Sequence, residues 1–228
     1  MLSNTLFDRG AEYDQMLMQG LRFSGENHEY FLRGRIHRML ADLDSSYRPR
    51  RILDFGCGIG HATQYLTELF PDAEVIGMDT SEPALEYARG ALSGRNARFT
   101  SSLETLPDAH FDLCYTNGTF HHIEPSLRIP VVNQIRRVLS PKGLFAFFEN
   151  NPWNPGTRLV MRSIPFDRDA VPLPPPEAKG LLGRCGFTQC QPATFLFYFP
   201  RQLAPLRRLE PALARIPLGA QYYLLARS

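Results

Sequence analysis

The stretch ILDFGCGIGHATQYL, residues 52–66, sets Gly56, Gly58 and Gly60 between a short apolar run and a helical pattern. Few folds accept that order. RILDF at 51–55 reads as a buried strand, and the residues from Gly60 to Phe70 read as a helix stopped by Pro71. A glycine corner of this kind lets a ligand approach the backbone, and the helix behind it offers N–H groups with no intrahelical partner. The pattern argues against phosphate ligands. A phosphate-cradling P-loop needs a Lys-Ser/Thr pair after its last glycine, and a dinucleotide loop needs glycine where His61 stands. Asp79 ends the next strand pattern, 23 residues after Gly56, where a carboxylate can accept both hydroxyls of a ribose. Asp54 sits at the carboxyl end of the first strand, able to order the loop or support a cationic ligand. Cys57, inside the loop, reads as a small buried thiol rather than a nucleophile.

Strand and helix signals alternate from Arg50 onward. AEVIGMD is a second strand, and Ser81 caps a helix with Ala84, Leu85 and Ala88 on its apolar face. ARFT is a third strand and FDLCYTN a fourth. A helix follows through VVNQIRRVL, with Pro130 placed in its first turn. GLFAFFE, nearly all apolar, is a fifth and central strand. Upstream, residues 11–43 carry helical spacing in two segments broken at Ser24 and Gly25. Downstream, residues 150–178 are proline-rich and too long for a plain connection, which suggests a cover. A short helix through PEAKGLLGRC ends at Gly186, and FTQCQPATFLFYF and GAQYYLLAR read as two long strands. The expected fold is α/β: a Rossmann-like three-layer sandwich on a seven-stranded, mostly parallel sheet with an antiparallel last strand and an N-terminal helical cap.

At 228 residues the chain suits one domain, and a net charge of +2 gives no field that would call for nucleic acid. Residues 1–17 lack the apolar core of a signal peptide, and no run approaches the ~18 apolar residues of a membrane span. Cys57, Cys114, Cys185 and Cys190 have neither disulfide-scaffold nor zinc-site spacing, so a reducing cytoplasm is the expected setting.

Taken together, ILDFGCGIG, VIGMDTSEPAL, LPDAHFDLCYTNGTFHHI and IRRVLSPKGLFAFFE resemble, in order and spacing, the motifs of class I S-adenosylmethionine-dependent methyltransferases. The resemblance covers about residues 50–150 and is closest to small-molecule enzymes such as those of ubiquinone and menaquinone biosynthesis and of natural-product or sugar modification. It implies a single domain, with a helical cap at 1–48, a cofactor-binding core at 49–150, and a cover with C-terminal strands at 151–228. It also implies that Gly56, Cys57 and Gly58 line the methionine part of the cofactor, with Asp54 beside them, that Asp79 holds the ribose, and that Thr80 lies beside the adenine. Where the family usually has an acidic residue after the third strand, this chain has Ser101 and Ser102, with Leu103 to pack on the ring. Asn117 matches a position that touches the amino-acid end of the cofactor. Tyr13 and Tyr30, in the capping helices, are candidates for the acceptor side.

Methyl transfer is an in-line displacement, so the protein aligns the nucleophile, excludes water and sometimes takes a proton. His122 or His121, just past the fourth strand, is the candidate base, with strand alternation placing one of the two toward the pocket. No metal site is expected, because His121, His122 and Glu124 are too close in sequence to converge on one ion. Glu149, Asn150 and Trp153, at the end of the fifth strand, are candidates to grip a hydroxylated acceptor, and Arg158, Arg162 and Arg168 to meet an anion. The segment 200–217 reads as a lid, with peripheral membrane contact as the alternative. The expected function is methyl transfer to a small-molecule acceptor, with oxygen preferred, by a monomer or homodimer. A non-catalytic cofactor-binding module and an NAD(P)-dependent oxidoreductase are the alternatives.

Overall fold

The structure, a computed structural model, describes residues 25–164, 167 and 169–228. Helix α1 (His28–Ala41) begins at Asn27, whose side chain accepts a hydrogen bond from the Tyr30 N–H at 3.0 Å. Five parallel strands follow: β1 (Arg51–Phe55), β2 (Glu74–Met78), β3 (Ala97–Thr100), β4 (Phe111–Asn117) and β5 (Leu139–Asn150). They alternate with α2 (His61–Leu69), α3 (Glu82–Ala91) and α4 (Pro125–Val138). After α5 (Pro155–Ser163) and α6 (Pro175–Arg184), β6 (Thr194–Leu196) and β7 (Gln221–Arg227) complete a sheet of order β3-β2-β1-β4-β5-β7-β6. Strand β7 runs antiparallel to both its neighbours, in line with the expected sandwich and its antiparallel last strand.

The period-two alternation of β5 builds both faces of the sheet. Phe145 and Phe147 join Val132, Ile135 and Val138 of α4 and Leu181 and Leu182 of α6 in one cluster. Leu144, Ala146 and Phe148 face the other way, toward Leu32, Ile36 and Met39 of α1 and Leu66 of α2. Each such side chain, taken fully out of water, contributes about 1.5–3 kcal/mol. Strand order reverses between β1 and β4, which opens a crevice at their carboxyl ends.

Three local expectations are corrected. Helix α4 starts five residues before Pro130, with Pro125 at its first turn, so Pro130 lies inside the helix. Pro130 is exposed, which leaves the Ser126 carbonyl open to water instead of buried without a donor. Strand β5 reaches back to Leu139 through an irregularity at Ser140–Gly143, where Lys142 has φ 67°. The long strand expected around FLFYF is three residues, because Pro192 and Pro200 lack the N–H a ladder needs. Gly186 does end the α6 region, with φ 81°.

Candidate functional site

The glycine loop is tied down from below. The N–H groups of Gly56 and Cys57 donate to the Met78 carbonyl at 2.7 and 3.0 Å, which bends β1 over β2. Gly56 has φ 74°, and a Cβ there would meet Thr119 Oγ1 at 2.2 Å, so only glycine fits. Gly58 is the opposite case: at φ 53° its Cβ position has no atom within 4 Å and faces open space. The Gly58 N–H donates to Asp79 Oδ2 at 2.8 Å, and the Ser81 N–H to Asp79 Oδ1 at 3.0 Å. Asp79 thus holds the loop and the start of α3 together while facing the cavity.

That cavity measures about 1490 Å³, more than the roughly 300–1,000 Å³ of a single-ligand pocket. One end is lined by Gly56, Gly58, Asp79, Thr80 and Asn117, together with Ser101, Ser102 and Leu103. The Ser102 hydroxyl accepts from the Glu104 N–H at 3.1 Å, capping a 3-10 turn. Asp54 and Cys57 line a smaller recess of about 70 Å³ beneath the loop, shared with Gly56, Gly58 and Asn117. Asp54 is buried and accepts from the Thr63 hydroxyl at 2.6 Å. Burial pushes its carboxyl up to about 7, Thr63 pulls it down, and Asp79 adds repulsion. Burial likewise pushes the Cys57 thiol up, away from reactivity.

Both histidines line the cavity, contrary to the alternation expected of a strand. They stand on a 3-10 turn, Phe120–His122, where successive side chains do not alternate. His121 is buried, its Nδ1 2.6 Å from Glu149 Oε2 and its Nε2 3.4 Å from Asp167 Oδ1. Burial opposes charge on the ring, but the two carboxylates outweigh it and hold the imidazole up at about 10. A ring so charged is a poor base at neutral pH.

Glu149 is not placed for an acceptor. It has no exposed surface, and its Oε1 also accepts from the Phe120 N–H at 2.7 Å. Trp153 is 45% exposed and stacks on Phe195, outside the cavity. Tyr30 lies under the Arg207 guanidinium, 4.5 Å from its ring centre, and does not line the cavity. Asn150 does line it, accepting from Gln221 Nε2 at 3.0 Å. Arg158 and Arg162 point elsewhere, while Tyr13 and Arg168 lie outside the described residues.

Arg35 is the residue that sequence reasoning missed at this end. It is buried, lines both the cavity and the recess, and donates to Gln221 Oε1 at 3.1 Å, while its Nε has no partner among the described residues. No carboxylate pairs with it among the described residues. A signal existed: Arg35 falls in the apolar stripe Phe31, Leu32, Ile36 and Met39 of α1. Among the described residues the buried Asn117 Oδ1 and the Tyr198 hydroxyl on the cavity wall also lack a hydrogen-bond partner.

Residues 52–143 match the family described as Methyltransferase domain. A trans-aconitate 2-methyltransferase of Methylobacterium radiotolerans is 31% identical over 137 residues, 60% of this chain and 52% of that protein. A malonyl-[acyl-carrier protein] O-methyltransferase of Legionella pneumophila is 35% identical over 108 residues, 46% of this chain and 37% of that protein. The chain therefore spans about half the length, or less, of these curated relatives. The fold is that of an S-adenosylmethionine-dependent methyltransferase from Archaeoglobus fulgidus, at TM-score 0.68 and 18% identity over 93% of this chain and 99% of that one. Residues 52–143 thus carry a methyltransferase domain, and the chain as a whole has the fold of S-adenosylmethionine-dependent methyltransferases.

The residues present fit S-adenosylmethionine. Its amino-acid end carries an ammonium and a carboxylate, and the orphaned Asn117 Oδ1 and the unpartnered Arg35 Nε offer one complement to each. Gly58 leaves the space such an end needs. Asp79 and Leu103 line the same cavity.

Proposed function

We propose that this chain transfers a methyl group from S-adenosylmethionine to an oxygen of a small acceptor, and that the acceptor is a carboxylate. The cofactor supplies a methyl carbon already activated by its sulfonium sulfur. The observation that carries the reading is Arg35, a buried cation at the junction of the two cavities with no acidic partner among the described residues. A guanidinium in that setting favours carboxylate ligands, whether on the cofactor, on the acceptor, or on both. The names of the relatives support the same class, since trans-aconitate is a carboxylic acid and one relative is an O-methyltransferase.

A carboxylate acceptor is ionised at neutral pH, so its attack needs no general base. An oxygen–carbon bond forms as the carbon–sulfur bond breaks, and no proton has to move. The chain's own work is alignment and exclusion of water, with Asn150, Asn154, Thr157 and Gln221 as polar contacts on the acceptor side. No helix among the described residues is long and apolar enough to cross a membrane.

The test is incubation with methyl-labelled cofactor and a panel of small carboxylic acids, phenols, alcohols and amines. Label in an alkali-labile ester, released as methanol, is the expected result. Label confined to amines or to alkali-stable ethers overturns the carboxylate reading. No transfer to any acceptor, with cofactor bound, favours a binding module.

A further inference from the structure

The two histidines and the cover meet in a way that neither methyl transfer nor cofactor binding requires. His121 Nε2 and His122 Nε2 lie 3.4 and 3.2 Å from the same oxygen, Asp167 Oδ1. All three ligand atoms fall within 4.8 Å of one another. Two ligands each about 2.0–2.1 Å from one ion, at a tetrahedral angle, stand roughly 3.3 Å apart. Two of the three separations already match.

The surroundings are also those of a metal site. A ligating histidine almost always donates its other ring N–H to a carboxylate or carbonyl, which fixes the tautomer. His121 does so through Nδ1 to Glu149 Oε2 at 2.6 Å, and Glu149 is itself held by the N–H groups of Phe120 and Asn150 at 2.7 and 3.2 Å. Asp167 is delivered by an anchored stretch of cover. The Val171 N–H donates to the His121 carbonyl at 2.8 Å, and Arg128 Nη2 donates to the Val171 carbonyl at 2.6 Å. His121 and Asp167 are buried, whereas His122 is partly exposed, and all three line the cavity. Any further coordination position therefore opens toward the acceptor end.

We propose that His121, His122 and Asp167 form a binding site for one divalent first-row transition metal ion, with Glu149 orienting His121. Two imidazoles and one carboxylate are a borderline donor set, suited to zinc, cobalt, manganese or iron and not to magnesium. An ion there would present a Lewis-acidic position to an acceptor oxygen.

The experiment uses the full chain, stripped with chelator, without cofactor or acceptor. Cobalt(II) is titrated and followed by visible absorption, with zinc and magnesium as competitors. The expected result is one cobalt per chain, displaced by zinc and not by magnesium. His122→Gln and Asp167→Asn should lower its affinity at least tenfold, and Glu149→Gln by about 10–100-fold. Uptake of no cobalt by the unsubstituted chain overturns the site, whatever the variants do. So does binding that is unchanged in His122→Gln and Asp167→Asn, each checked for folding by circular dichroism. Because no methyl transfer is measured, failure here leaves the proposed reaction standing.

Discussion

Gly56 and Thr119 are in contact across the mouth of the crevice: a Cβ on Gly56 would stand 2.2 Å from Thr119 Oγ1 and 2.9 Å from Thr119 Cβ. The β1 and β4 ends are therefore as close as a glycine backbone allows. Gly56→Ala should lose about 2–4 kcal/mol from overpacking and from the left-handed φ together. The Gly56→Ala/Thr119→Ala double variant should recover part of the overpacking, since Ala removes Oγ1 and Cγ2 but keeps the Cβ at 2.9 Å. Urea denaturation of the unsubstituted chain and the two variants checks this, and equal stability of single and double variants would refute the contact.

Asn117 predicts the reverse balance. Its buried Oδ1 has no donor to lose among the described residues, so Asn117→Ala should change cofactor-free stability by well under the cost of a paired group. Affinity for S-adenosylhomocysteine, which keeps the ammonium, should fall about 10–100-fold, in line with the ~1.5–3 kcal/mol of a hydrogen bond to a charged group. Calorimetry gives the affinity and thermal melting the stability.

Asp54 makes stability depend on pH. Its carboxyl is raised from 3.8 to about 7 in the folded chain, chiefly by burial. Between those values the folded state keeps a proton that the unfolded state releases. The contribution is therefore fully present below about pH 4 and is lost as pH rises through about 7. Relative to Asp54→Asn, the cofactor-free chain should lose stability from pH 5 to pH 7 and then level off. Denaturation midpoints of both proteins at pH 5, 6, 7 and 8 test the sign. A wild-type curve that rises relative to the variant would contradict it.

Pro130 sits in the interior of α4 and is exposed. Pro130→Ala restores the missing N–H donor and should stabilise the chain by about 1–2 kcal/mol, after allowing for the freer unfolded state. Equilibrium urea unfolding measures it, with no change or a loss as the adverse result.

Much of the site was legible because it is local. Positive φ at Gly56 and Gly58, close approach at Gly56, a carboxylate at the end of β2 and an amide at the end of β4 all follow from a strand–loop–helix unit read in order. Glu149 and Trp153 were misplaced for a shared reason. Position at a strand end says that a side chain is near the crevice, not whether a buried partner claims it, and His121 and Phe195 claim these two. The histidine pair was misread because the strand ends at Asn117, and a 3-10 turn begins before either ring.

Sequence alone determined the alternation of strands and helices, the corner that excludes phosphate loops, and the residues on each face of the central strands. These depend on periodicity and on the conformational freedom of single residues, which are local properties. Tertiary structure decided what converges there. Arg35 comes from 19 positions before Asp54, and Asp167 from 45 positions after His122. Their places depend on how α1 and the cover pack against the sheet edge, and no spacing rule links residues brought together by packing.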